Sequence, residues 1–186
     1  MFHPHSSCEL CSVGVDRQVM LWDTRAGTAP RAVVENVHSG DVNCVDWSAL
    51  DANYLVTGSN DRSVCIVDLR KQEVTTRLSG HLSPVNSVQF CPFSHEYVAS
   101  CADSLNLWRL NDESERAELV MKHCGHQGPV VDFGWNQENE FTFLSSSDDS
   151  ELRADEKSDG SLQIFRPLDL LLCDYETALH RLAQHI

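Results

Sequence analysis

The sequence predicts an all-β fold assembled from repeated short-stranded units, and three observations carry that expectation. Short β-branched and aromatic runs are bounded by clusters of Asn, Asp, Gly and Ser, which is the strand-and-turn pattern. The pattern returns about every forty-odd residues. Each unit ends in a characteristic pair, Trp22-Asp23, Val67-Asp68, Trp108-Arg109 and Phe165-Arg166, and each full unit has a His near its start.

The stretch from His38 to Arg70 is the best-formed unit. Val42, Cys44 and Asp46 alternate with Asn43, Val45 and Trp47; a turn over residues 48–53 leads into Tyr54 to Ser59, then a tight turn at Asn60-Asp61, then Ser63 to Asp68. Upstream, an incomplete unit runs from Glu9 through a turn at Asp16 to Asp23, without its own His or first strand. The third unit runs from His81 through Val85 to Phe90, Tyr97 to Cys101 and Leu105 to Trp108, with a turn at Asp103 that reads as one residue shorter. The fourth runs from His126 through Val130 to Trp135, then Phe141 to Ser147 and Ser161 to Arg166. The end pairs are spaced 45, 41 and 57 residues, and the His markers 43 and 45. Cut at these markers, the units occupy about 1–37, 38–80, 81–124 and 125–166. The long last spacing comes from residues 148–160, which read as a solvated acidic loop inside the last unit. From residue 167 onward the period changes: Leu168, Leu171, Leu172, Tyr175, Leu179, Leu182 and Ile186 fall at helical spacing, which predicts an amphipathic helix over 167–186 whose stripe packs on the core.

The chain has 186 residues, 41% hydrophobic and 23% charged, the composition of a globular domain. No apolar run approaches the ~20 residues of a membrane helix, and MFHPHSSCEL does not read as a secretory signal. Four of the eight cysteines (Cys44, Cys65, Cys91, Cys101) sit in or beside apolar runs, where free thiols act as small hydrophobes; a reduced, intracellular protein is expected. The formal charge of -14 disfavours direct nucleic-acid binding and attracts basic partners.

A period of ~40–45 residues with Gly-His near the start (Gly80-His81, Gly125-His126) and Trp-Asp near the end resembles the WD-repeat (WD40) family, in which each repeat builds a four-stranded propeller blade. The resemblance implies an all-β, partial WD40 β-propeller, about four blades of a probable seven, so that the chain reads as the C-terminal part of a longer ring.

Each full unit also holds a Ser or Thr, a His and an Asp, and the incomplete first unit a Ser and an Asp. The sets are Ser12, Asp16 and Trp22; His38, Thr57 and Asp61; His81, Ser100, Asp103 and Trp108; and His126, Ser145 and Asp149. Such a set looks like a nucleophilic triad. It recurs in register with the repeat, which a single active site does not do. The WD-repeat likeness implies a buried hydrogen-bond network tying the tight turn to the first strand. Val67 and Phe165 replace Trp, so those two blades are expected to be less tightly fixed. Cys8-Glu9-Leu10-Cys11 is a lone pair, short of a metal site. No catalytic residue, cofactor or metal is assigned, and no enzyme is expected.

Asp23-Thr24-Arg25 and Asp68-Leu69-Arg70 each close a strand with Asp and Arg on one side. Together with Trp22 they resemble the box by which some WD-repeat proteins dock onto the damage-binding adaptor of cullin-type ubiquitin ligases, with Arg25 and Arg70 as anchors; a local ion pair at a blade corner is the competing reading. Four segments narrow the likeness: FHPHSSCELCSVGVDRQVMLWDTR, VHSGDVNCVDWSALDANYLVTGSNDRSV, GHQGPVVDFGWNQ and SLQIFR before a helix. They resemble the retinoblastoma-associated, MSI-like histone-binding WD proteins, in a plant-like subtype. That likeness implies a nuclear, non-catalytic scaffold of chromatin-modifying or chromatin-assembly complexes, binding histones and complex subunits but neither nucleic acid nor membrane. In that family a histone helix lies between an N-terminal helix and an acidic loop; the loop corresponds to residues 111–118 and the N-terminal helix has no counterpart here. At the ring mouth, Asp41, Asn43 and Asn86 are the expected histone contacts. A cullin-ligase substrate receptor is the alternative.

Overall fold

The computed structural model describes residues 1–111, 116–148 and 160–167. The described chain is a succession of antiparallel meanders. The first sheet holds β1 (Glu9–Val13), β2 (Val19–Asp23) and β3 (Ala32–Val34); the second β4 (Val42–Trp47), β5 (Tyr54–Ser59), β6 (Ser63–Asp68) and β7 (Glu73–Ser79). The third holds β8 (Ser87–Phe90), β9 (Tyr97–Cys101), β10 (Leu105–Asn111) and β11 (Arg116–His123); the fourth β12 (Val130–Trp135), β13 (Phe143–Ser147) and β14 (Ser161–Phe165). This is part of a WD40 propeller. The expected C-terminal helix falls outside the described residues but for Pro167, as do Asp149 and residues 149–159 of the acidic loop.

The outermost strands β3, β7 and β11 were not individually legible in the sequence. One consequence is a correction: Asn111 and Arg116 to Glu118, expected in a loop, are strand residues of β10 and β11. The first sheet has only a bridge, Phe2 to Leu10, where the second sheet pairs Trp47 with Leu55.

The core lies between the sheets rather than within one. Alternate residues of a strand face opposite ways, so β6 is buried along its whole length. Leu55, Cys65 and Val67 join Cys11, Val19 and Val34 against the first sheet. Val56, Val64 and Ile66 join Val88, Val98 and Trp108 against the third. Ala99, Leu105 and Leu107 join Val130, Phe133 and Phe143 against the fourth. Every seam is also stapled by one backbone bond at the same place: Val42 N to Gly14 O at 3.0 Å, Val85 N to Ser59 O at 3.0 Å, and Val130 N to Ala102 O at 2.7 Å.

The tight turns are set by aspartates. Asp16 Oδ1 accepts from Gln18 N, and Asp61 Oδ1 from Ser63 N; Arg17 and Arg62 between them take φ of 63° and 69°. The third hairpin differs more than its sequence implied. Trp108 reaches Ser100 across eight residues, whereas Trp22 reaches Ser12 across ten, so that turn is two residues shorter, not one.

Val67, expected to leave its sheet less tightly fixed, has a second position beside it that makes up volume. A Cβ on Gly80 would lie 2.9 Å from the Trp108 ring, so the residue before His81 has to be Gly. In the second sheet Val67 stands in the place of Trp108, and Val37 stands in the place of Gly80; both are fully buried in one cluster. The volume lost at one position is regained at the other. Phe165, the other departure, stacks on His123 at 3.8 Å and on Phe143 at 5.3 Å. Val67→Trp alone should overpack and cost on the order of 1–3 kcal/mol in urea unfolding, and adding Val37→Gly should recover part of that. Equal losses in both backgrounds would refute the compensation.

Candidate functional site

In the second, third and fourth units the His of the polar set lies against its Ser or Thr hydroxyl; Asp16 of the first unit bonds only within its own turn, and Asp149 lies outside the described residues. His38 Nε2 lies 2.8 Å from Thr57 Oγ1, His81 Nε2 2.7 Å from Ser100 Oγ, and His126 Nε2 2.7 Å from Ser145 Oγ. The other ring nitrogen faces the turn: His38 Nδ1 is 3.2 Å from Asp61, His81 Nδ1 3.4 Å from Asp103, and His126 Nδ1 2.7 Å from Ser161 Oγ. Each carboxylate accepts from Nδ1–H, which leaves Nε2 to accept from the hydroxyl. Trp22 and Trp108 donate Nε1–H to Ser12 and Ser100, both at 2.8 Å.

This geometry resembles a triad without its chemistry. Thr57 and Ser100 are fully buried, so no substrate carbonyl can approach either hydroxyl. Ser100 Oγ moreover already accepts from Trp108. The network orders a turn; it offers no nucleophile.

Two cations completing the network were missed. Arg77 Nη1 donates to Ser63 Oγ at 2.8 Å and its Nη2 to Val37 O at 2.7 Å; Lys122 Nζ donates to Asp103 Oδ2 at 2.9 Å. They sit on the outermost strands, opposite Cys65 and Asn106. Their shared register, one per outer strand, was the available signal. Burial works to raise the Asp61 pKa, but the Ser63 and Ser39 donors outweigh it and hold the carboxyl well below the usual range. Burial works the same way on Asp103, and the Leu82 N–H and the Lys122 ammonium hold it to about 2.

Of the residues expected at the ring mouth, Asn43 and Asn86 are exposed and Asp41 is half-buried, and all three are engaged. Asn43 Nδ2 donates to Asn60 Oδ1 and to Val85 O, each at 2.9 Å; Asn86 Nδ2 donates to Val130 O at 2.8 Å. They repeat one staple across two seams. Asp41 Oδ2 accepts from Asn60 Nδ2 at 3.3 Å. Deeper along the same strands, Asp46 Oδ2 accepts from Phe90 N and Gln89 Nε2 donates to Phe133 O, two further seam contacts the sequence did not reveal.

The Asp-x-Arg boxes fold back on themselves. Arg25 clamps Asp23 with Nε at 2.9 Å and Nη2 at 2.8 Å, and holds its carboxyl down to about 2. Arg70 clamps Asp68 at 3.2 and 2.9 Å, donates to Tyr54 Oη at 2.8 Å and lies over the Tyr54 ring. Both forks therefore face their own aspartates. Arg70 also borders two inter-sheet clefts of about 390 and 480 Å³.

Buried thiols are held neutral: burial pushes Cys11 and Cys65 up to about 11, and Cys44 and Cys101 to about 12. Cys11 is therefore a poor metal thiolate. Among the described residues no three His, Cys, Asp or Glu side chains converge as a metal site.

The WD domain, G-beta repeat family model matches residues 32–68 and 72–108. The chain is 39% identical to the WD-40 repeat-containing protein MSI4 of Arabidopsis thaliana, over 91% of this chain and 36% of that protein. It is 26% identical to the histone acetyltransferase type B subunit 2 of Debaryomyces hansenii, over 75% of this chain and 38% of the relative. It is 25% identical to the DDB1- and CUL4-associated factor 13 of Danio rerio, over 82% and 33%. The chain spans about a third of the length of these relatives.

Burial pushes the His38 and His81 pKa values below 6.5, against the pull of Asp61 and Asp103. Folding then favours the neutral rings, so this contribution is complete above pH 6.5 and is lost as pH falls below it. The Asp103 contribution is present above 3.8 and is lost as pH falls toward about 2. Unfolding midpoints should accordingly drop in two stages on acidification, and replacing His38 and His81 with Gln should remove the earlier one. A flat profile between pH 7 and 5 in the native chain would contradict this.

Proposed function

The chain belongs to the WD-repeat family and is similar to its MSI-like members, and on that premise we propose that it is a non-catalytic, histone-binding scaffold of chromatin-modifying or chromatin-assembly complexes, working in the nucleus. The observation that carries the reading is the likeness to MSI4 along 91% of the chain. A relative named as a histone acetyltransferase subunit points the same way. Two physical features agree with it. The formal charge of -14 draws in basic chains through a screened, long-range field. The repeated Ser-His-Asp sets are occupied in holding turns, so what the sheets offer a partner is surface.

Within that surface the innermost strands give the best-placed contacts. Asp41 is half-buried and joins Asn60 and Asn43 in a polar cluster. Its carboxylate is positioned to pair with a lysine or arginine of a histone tail, while Asn43 and Asn86 keep neighbouring sheets in place beneath it. The reading as a cullin-ligase receptor has less behind it, because the Arg25 and Arg70 forks are closed on Asp23 and Asp68.

Immobilised chain should retain core-histone peptides over a scrambled peptide of equal charge, less so as salt rises, and Asp41→Lys should weaken retention several-fold with an unchanged melting midpoint. Equal retention of the scrambled peptide would reject the proposal.

A further inference from the structure

The two inter-sheet clefts that Arg70 borders have equivalent walls but different chemistry. Glu9 and Tyr54 are equivalent, because each pairs with the aspartate that ends the strand alongside, Asp23 or Asp68. Arg31 and Thr75 are equivalent, because each precedes the outer-strand partner of Leu21 or Ile66. In the cleft between the first and second sheets, Arg31 and Glu9 form an ion pair that spans β2. In the cleft between the second and third sheets, of about 480 Å³, no such bridge forms: Thr75 Oγ1 instead donates to Ile66 O at 3.3 Å within its own sheet. The floor there stays apolar. It is made by Ile66, Phe90 and Leu110, of which Phe90 and Leu110 are half-buried and packed on the cluster of Val64, Val98 and Trp108.

The rim of this second cleft is cationic where it meets solvent. The Arg70 and Lys71 side chains are 55% and 52% exposed, and His95 is exposed. The two acids of the lining are already engaged. Asp68, 1% exposed, is clamped by Arg70, and Asp51 Oδ1 accepts from Asn53 N at 3.0 Å and from Asn53 Nδ2 at 2.7 Å. Arg70 spends Nε and Nη2 on Asp68 and Tyr54, and among the described residues its Nη1 makes no hydrogen bond. A fork closed in this way takes no bidentate carboxylate, but its Nη1 edge donates to a single oxygen. Asp68 and the Tyr54 ring hold the guanidinium in place beforehand, so little rotamer freedom is lost on binding. Arg25 carries the same clamp but borders neither of the two clefts.

We propose that the cleft between the second and third sheets binds an acidic peptide segment of a partner protein, in which a bulky apolar side chain is flanked by carboxylates. The apolar side chain lies over Ile66, Phe90 and Leu110, and one carboxylate meets Arg70 Nη1, with Lys71 and His95 completing the positive edge. Charge complementarity selects this occupant. On a chain of formal charge -14 a cationic rim is the exception, and it favours the opposite sign of partner from the Asp41 cluster. The volume falls within the range of sites that enclose a ligand group, with an apolar lining and a few placed polar groups. The proposal does not rest on the histone reading; it gives the scaffold a second, separately addressed surface.

Fluorescence polarisation on the 186-residue chain tests it with short labelled peptides carrying Leu, Phe or Trp between glutamates, and with their glutamine and lysine counterparts. The glutamate series should bind saturably and more weakly as salt rises. Glutamine should weaken binding several-fold and lysine abolish it. Thr75→Glu should abolish binding while Thr75→Gln keeps most of it, and His95→Glu should weaken it several-fold. Arg62→Asn, at the other end of β6 where Asn accepts the φ of 69°, should change nothing. Retention of histone peptides should survive Thr75→Glu, which separates this site from the ring mouth. The absence of saturable binding by every glutamate peptide overturns the proposal, and so does equal binding of the glutamine or lysine series. Binding that survives Thr75→Glu in a protein with native circular dichroism also overturns it; if that variant does not fold, unchanged binding by His95→Glu, at an exposed position, decides in the same sense.

Discussion

The buried hydrogen bond between a histidine and the hydroxyl on the second strand of its sheet is the constraint on which the arc is built. It joins chain entering a sheet to the strand beside the tight turn, always across 19 residues. Without it the segment that returns from the outer edge to the centre would have no fixed landing point. Burying an imidazole is unfavourable unless both nitrogens find partners. That requirement brings the aspartate into the turn, and the aspartate in turn brings Arg77 and Lys122 to the outer strands. One satisfied side chain thereby orders three strands.

Sheets ordered in this way can repeat their contacts. Asn43 and Asn86 donate to Val85 and Val130, and the opening backbone N–H of each inner strand reaches the previous turn. The matched family units, 32–68 and 72–108, each begin with the outermost strand of one sheet and end with the third strand of the next. The covalent repeat therefore bridges a seam, and neighbouring sheets are tied by the chain as well as by packing.

Much of this was legible because period and turn chemistry are local. The His, Ser or Thr, and Asp positions could be read as sets recurring with the repeat, and the likeness to WD repeats implied what they do. The outer strands were not, because β3 and β11 lack a strong alternation and their pairing depends on partners far along the sheet. Arg77 and Lys122 were not singled out, because only the strand register sets them opposite Cys65 and Asn106. Asn43 and Asn86 were picked out as surface groups for a partner, and the structure gives them a prior commitment to the next sheet. The substitution of Trp by Val at position 67 read as a weakness because its compensation at Val37 is thirty residues away in sequence and adjacent only in space.

That compensation has a wider meaning. One junction is filled by Val37 and Val67, the next by Gly80 and Trp108, and the last has Gly125 beside His123, whose ring lies on Phe165. Sheets alike in backbone are thus keyed differently along their flanks. A shuffled gene that exchanged two of them would set tryptophan against valine at one joint and leave a void at another, so the order of otherwise interchangeable modules is written into the shapes of their side chains.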